Sequence, residues 1–189
     1  MTADRKGPKL PQQYQNWVNN AQGRDFEQAI ERACILYAQK GAAWVEKTPE
    51  PFRVMSKAKS GGVFQGRFTA RAQPDFQGTV QGGRSIVFEA KYTSTDRLRR
   101  DALTDRQMEV LERHGRLGAI AFVCAGIRGS FFAVPWTRWQ NMKRFWGRQS
   151  VTPGDLEPYR IKFDGAVRFL EYIHTDQCRE AAGEGRHGG

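Results

Sequence analysis

The chain is predicted to adopt an α/β fold, a mixed central sheet flanked by helices. Three patterns point there. Phe26, Ile30, Ala33 and Tyr37 fall on one stripe at helical spacing. Residues 73–80 and 85–92 alternate as strands on either side of the turn signal Gly82-Gly83. A second helix signal, Thr104-Asp105-Arg106-Gln107, precedes two more strand-like stretches at 117–125 and 130–134. At 189 residues the chain is long enough for one domain with a substantial core. That domain is expected over 21–175, with flexible polar or Gly-rich ends at 1–20 and 176–189.

The first helix is expected to open at Gly23-Arg24-Asp25-Phe26-Glu27. Glu27 lies beside its apolar stripe, either leaning toward a metal site or simply well placed near a helix N-terminus. A strand should end near 45–47. Residues 56–72 then form a basic arm with Gly61-Gly62, Gly66, Val63, Phe64 and Phe68. In the next hairpin, Ile86, Phe88 and Ala90 share one face of the second strand and Val87, Glu89 and Lys91 the other. A two-residue turn at Gly82-Gly83 would set Asp75 opposite Ala90; a three-residue loop or a bulge would set it opposite Glu89. In the helix from Thr104, Leu103, Val110, Leu111 and His114 face inward with Gln107, which also completes a capping box with Thr104. Gly126-Ile127-Arg128-Gly129 turns between the last two strands. Trp136, Trp139, Met142 and Trp146 recur at helical spacing, as core or dimer packing rather than a base-stacking platform.

The chemistry concentrates in the hairpin. Pro74-Asp75, thirteen residues, then Glu89-Ala90-Lys91 gives two carboxylates and a lysine that can meet at one corner of a sheet. Two carboxylates suit Mg²⁺, which takes hard oxygen ligands and keeps several waters. Lys91, two residues after Glu89, shares its face and can orient a water or offset charge at a phosphate. The competing reading is a surface hairpin with a solvated Glu and Lys.

The order Gly23-Arg24-x-Phe26-Glu27, Lys47-Thr48-Pro49-Glu50-Pro51, Pro74-Asp75-Phe76-x-Gly78, Phe88-Glu89-Ala90-Lys91, Asp105-x-Gln107 and Gly118-Ala119-Ile120-Ala121-Phe122-Val123 resembles the RecU-type Holliday junction resolvases of the PD-(D/E)xK nuclease superfamily. The resemblance runs over about 20–146, with weaker similarity around 159–173. It implies a restriction-endonuclease-like fold with a projecting stalk, and a homodimeric, Mg²⁺-dependent endonuclease, with Mn²⁺ as a possible substitute. Such enzymes cut four-way DNA junctions symmetrically in recombination and repair. By motif, Asp75 and Glu89 would be metal ligands, Lys91 the catalytic lysine, and Glu27 and Gln107 would complete the site. Family members usually carry a hydroxyl residue just before the aspartate; this chain has Pro74. The stalk, at 56–72, would enter the junction centre.

Charge agrees with a polyphosphate partner. The formal net charge is +10 and the pI about 9.9. No acid occurs between Phe52 and Pro74, where Arg53, Lys57, Lys59, Arg67 and Arg71 stand, nor between Arg113 and Gly154. Arg53, Lys57, Lys59, Phe64, Arg67, Phe68 and Arg71 are the candidate DNA contacts, by phosphate pairing and base stacking; a solvated basic face and an insertion loop are the plainer readings. Cys34, Cys124 and Cys178 have no metal or disulfide spacing, and the three histidines are scattered. The longest apolar run, about 117–127, is too short for a membrane span, and no signal peptide is expected. The expected setting is the cytoplasm, at the nucleoid of a prokaryote or encoded by a phage. Rival functions are another nuclease of the superfamily acting on flaps or duplex, and a junction-binding protein without activity.

Overall fold

The computed structural model describes the backbone of residues 12–49, 52–56, 65–68 and 73–173, and the side chains of 22–49 and 73–173. Helix α1 (Gln12–Gln39) comes first and starts well before the expected position, Gly23. A glycine inside a helix costs only about 1 kcal/mol relative to alanine. That is small enough for α1 to run through Gly23, while Phe26, Ala29, Ile30, Ala33 and Tyr37 are buried along its later turns. Residues 12–20, expected as part of a flexible arm, are therefore helical; residues 1–11 and the expected tail at 176–189 lie outside the described residues.

In chain order the strands are β1 (Ala43–Lys47), β2 (Phe52–Ser56), β3 (Gln65–Phe68), β4 (Phe76–Val80), β5 (Ser85–Thr93), β6 (Leu98–Arg99), β7 (Ile120–Ile127), β8 (Ser130–Pro135) and β9 (Ser150–Val151). Helix α2 (Asp105–Arg116) precedes β7; α3 (Trp136–Gln140) and α4 (Met142–Trp146) follow β8. The central sheet has five strands in the order β1-β4-β5-β7-β8. All neighbours are antiparallel except β5 and β7, which run parallel. A parallel pair needs a crossover, and the segment containing α2 provides it. The sheet is therefore mixed and flanked by helices, as the sequence predicts.

Each face of the sheet buries its own core. Ile86, Phe88 and Ala90 of β5 pack with α1 and with residues 161–173. Phe76, Phe88 and Phe122 stack across three strands with ring centroids 4.9 and 4.4 Å apart, and Phe169 closes on Phe88 at 5.0 Å. On the other face, Val87, Val123 and Ala125 meet Leu111 of α2 and Trp136, Trp139 and Met142 of α3 and α4. The tryptophan row is thus packing within the chain, and it spans two short helices that meet at Asn141 rather than one.

Other boundaries shift for local reasons. Leu117 caps α2 and is 88% exposed, so β7 starts at Ile120 rather than 117. Gly126 stays in β7, and Arg128-Gly129 alone make the turn into β8. Leu103 and Leu111 are buried as expected, while Val110 and His114 are only half-buried. The described part of the arm is an antiparallel β2–β3 hairpin in a sheet of its own, with its register shifted between Val54 and Ser56. It starts at Phe52, ahead of the expected boundary at 56.

Candidate active site

The loop between β4 and β5 sets the geometry. Val80 N–H donates to Arg84 C=O at 2.9 Å and Gly83 N–H to Val80 C=O at 3.0 Å, leaving Gln81-Gly82-Gly83 as a three-residue loop. Gly82 and Gly83 take φ of +91° and +87°, which strongly favour glycine. The resulting register pairs Phe76 with Phe88, and one step further sets Asp75 across from Glu89. Gly78 adds a second constraint. A Cβ there would clash with the Trp44 carbonyl oxygen and Val45 Cα, so only glycine lets β1 lie this close.

Three side chains meet where the register brings them together. Asp75 Oδ2 accepts from Ala90 N–H at 3.0 Å and lies 3.4 Å from Lys91 Nζ. Lys91 Nζ is also 3.4 Å from Glu89 Oε2. Glu89 is fully buried, whereas the Asp75 and Lys91 side chains keep 29% and 21% of their exposure, so the corner opens on the Asp75–Lys91 side. Burial pushes the Glu89 carboxyl up to about 8; the Asp75 carboxylate beside it pushes the same way, and Lys91 opposes both. One lysine therefore does not fully offset two carboxylates, and Glu89 Oε1 is buried with no hydrogen-bond partner among the described residues.

Gln107 serves two masters through the two ends of its amide. Its Oε1 accepts from Thr104 N–H at 3.0 Å and its backbone N–H donates to Thr104 Oγ1 at 3.3 Å, the reciprocal capping box of α2. Its Nε2 donates to Glu89 Oε2 at 2.5 Å. The cap and the contact with Glu89 coexist.

Glu27 is not brought to the pair. It sits mid-helix on α1, against the opposite face, and its carboxylate meets Lys47 Nζ at 2.7 Å, with Glu31 3.6 Å from the same ammonium. Alternation along β1 explains this: Ala43 and Val45 are buried toward α1, so Lys47 points there too. Its pKa is raised, chiefly by the hydrogen bond to Glu27. Lys47 was part of a motif in the sequence but carried no assigned role; the alternation was the available signal. Among the candidate DNA contacts, Arg53 pairs with Arg67 and Phe52 with Phe68 in the β2–β3 ladder. Lys57, Lys59, Phe64 and Arg71 lie outside the described residues.

The donor set fits a magnesium-like cation. Two carboxylates share one corner, and one buried oxygen is uncommitted. Among the described residues no group of three or more His, Cys, Asp or Glu could hold a metal. Mg²⁺ is typically held by one or two carboxylates plus waters and substrate phosphate.

Among solved structures, the Holliday junction resolvase Hjc of the archaeal hyperthermophile Archaeoglobus fulgidus is similar over 77% of this chain and 98% of its own, at 15% identity and a TM-score of 0.42. No curated protein matches the chain. A family model described as RecU, Recombination protein U, matches residues 21–175, from α1 through the Asp75–Glu89–Lys91 corner to the last described segment. The chain belongs to the RecU family.

Proposed function

We propose that this chain is a divalent-metal-dependent endonuclease that resolves four-way (Holliday) DNA junctions, acting as a homodimer that makes paired cuts on opposed strands. The observation that carries the reading is the buried Glu89 across from Asp75, with one oxygen unpaired and Lys91 between the two carboxylates. Asp75 and Glu89 would hold Mg²⁺, or Mn²⁺ in its place. When bound, the cation supplies Lewis acidity at the phosphodiester and makes water a better nucleophile.

The chain's own groups do the rest. Gln107 donates to Glu89 Oε2 and so fixes that carboxylate's rotation. Ala90 N–H holds Asp75 Oδ2 and fixes that carboxylate's rotation. Lys91 Nζ reaches both carboxylates from the open side, where it can donate to a phosphate oxygen or orient the attacking water. Water adds to phosphorus in line, the bridging P–O bond opposite it breaks, and the departing oxygen takes up a proton. Glu89 must lose its own proton to act as a ligand, so metal binding and deprotonation are coupled. Lys47, by engaging Glu27 and Glu31, fixes the end of β1 beside Asp75.

Junction preference and pairing of the cuts rest on family membership, on the net charge of +10 and on the acid-free basic stretch 52–74. A two-fold dimer supplies two matched sites with one self-complementary interface. Among the described residues no helix is long and apolar enough to cross a membrane. The test is cleavage of labelled four-way junction, flap and linear duplex with Mg²⁺ at fixed salt. The expected result is two symmetric nicks in the junction and little cutting of the other two. Equal cutting of all three would make the protein a general nuclease, and junction binding without cutting would make it a binding protein.

A further inference from the structure

The row formed by Asp75 and Glu89 continues one strand further. Lys47 pairs with Phe76, and the ladder runs on as Thr48 N–H donates to the Asp75 carbonyl at 2.9 Å. Thr48 therefore stands across from Asp75 on one side, as Glu89 does on the other. Alternation also gives it the right face. Ala43 and Val45 are buried toward α1, and Lys47 reaches Glu27 and Glu31 on α1, so Thr48 turns toward the face that carries Glu89. Directly opposed side chains in antiparallel strands have Cβ atoms about 4.5–5.5 Å apart. The Thr48 hydroxyl is shielded from solvent and has no hydrogen-bond partner among the described residues.

Two buried polar atoms without a partner among the described residues thus flank Asp75 on one row: Glu89 Oε1 and Thr48 Oγ1. Such atoms are destabilising unless a partner arrives. A cation held by only two carboxylates retains waters whose hydrogens need acceptors around the site. Asp75 Oδ2 is already engaged by Ala90 N–H and Lys91. A threonine hydroxyl, which rotates to suit its partner, is a ready acceptor on the far side of Asp75.

We infer that Thr48 is a positioning residue of this corner, its hydroxyl hydrogen-bonding the hydrated divalent cation held by Asp75 and Glu89. The inference rests on the metal-dependent reading above. It is tested on the full chain without DNA, by thermal melting and by calorimetric Mg²⁺ titration of wild type, Thr48→Val and Thr48→Ser. Without Mg²⁺, Thr48→Val should melt at or above the wild-type temperature, because it removes an unpaired buried polar atom. Its Mg²⁺-induced rise in Tm should shrink and its Mg²⁺ affinity fall by about fivefold, one net hydrogen bond's worth. Thr48→Ser should restore both. If valine prevents folding, Thr48→Ala carries the same comparison. Unchanged Mg²⁺ affinity in a folded hydroxyl-free variant overturns the inference, and a lower metal-free Tm alongside it would assign the hydroxyl to the fold. A wild-type chain that shows no Mg²⁺ response would instead sink the metal-dependent reading, and this inference with it.

Discussion

The two faces of β5 are equally buried and chemically opposite. Toward α1 the strand presents Ile86, Phe88 and Ala90, all inside an apolar core. Toward α2 it presents Val87 and then Glu89, which is no more exposed than Phe88. Burial on the first face stabilises the fold outright, through removal of apolar area from water and stacked rings. Burial on the second is unfavourable for a carboxylate unless charge and hydrogen bonds compensate it. Lys91 and Gln107 compensate it in part. One strand thus anchors the domain with one face and carries a buried, only partly compensated carboxylate on the other.

The contrast predicts which substitutions should damage chemistry and which should damage the fold. The largest effect belongs to the charged face: Asp75→Asn or Glu89→Gln should lower Mg²⁺-dependent junction cleavage by on the order of a thousandfold or more, measured in single turnover, with junction binding kept. Near-normal turnover in either variant would dismiss the site. On the apolar face, Phe88→Ala should destabilise by about 3–5 kcal/mol in urea unfolding, because it opens a cavity between Phe76 and Phe122. A loss under about 1 kcal/mol would show that the ring stack relaxes freely.

A smaller effect is thermodynamic. Glu89 is raised in the folded state from its ordinary 4.5 to about 8, so the metal-free native chain holds a proton that the unfolded chain has lost across that window. That contribution is fully present below about 4.5 and disappears as pH rises through about 8. Chelator-treated protein should therefore lose stability with rising pH, by at most about 1.4 kcal/mol per pH unit from this group. Glu89→Gln should flatten the slope; an equal slope in the variant would assign it elsewhere. The smallest effect is expected for Gln107→Ala. Loss of the capping box should cost about 1 kcal/mol, and loss of the grip on Glu89 Oε2 should slow cleavage by about tenfold. Restoration of stability but not rate by a replacement cap at Thr104 would separate the two roles.

Much of this contrast was legible in the sequence because strand alternation is strictly local. The two faces of 85–92 followed from a period of two, and the need for an odd loop at Gly82-Gly83 followed from the pairing arithmetic of a hairpin; the structure has that loop. Gln107 was legible as a residue with two uses, but their compatibility depends on an amide spanning Thr104 and Glu89, a tertiary distance no local pattern contains. The start of α1 was hidden because Gly23 reads as a boundary locally, although a helix tolerates one interior glycine at a cost of about 1 kcal/mol. The ion pair of Glu27 was not legible either, because its partner, Lys47, comes from a different element. The hairpin character of the arm was also missed, since Gly61-Gly62 and basic residues suggest a loop, whereas the backbone of 52–56 pairs antiparallel with that of 65–68.

The sharpest probe of the Asp75–Glu89 corner is proton release on metal binding. Mg²⁺ should be titrated calorimetrically into the full chain near neutral pH, in buffers of different ionisation enthalpy, for wild type and Glu89→Gln. Wild type should release up to about one proton per cation bound, because the buried Glu89 must ionise to become a ligand, and Glu89→Gln should release none and bind far more weakly. Mg²⁺ binding without proton release, or with the same affinity in Glu89→Gln, would contradict it.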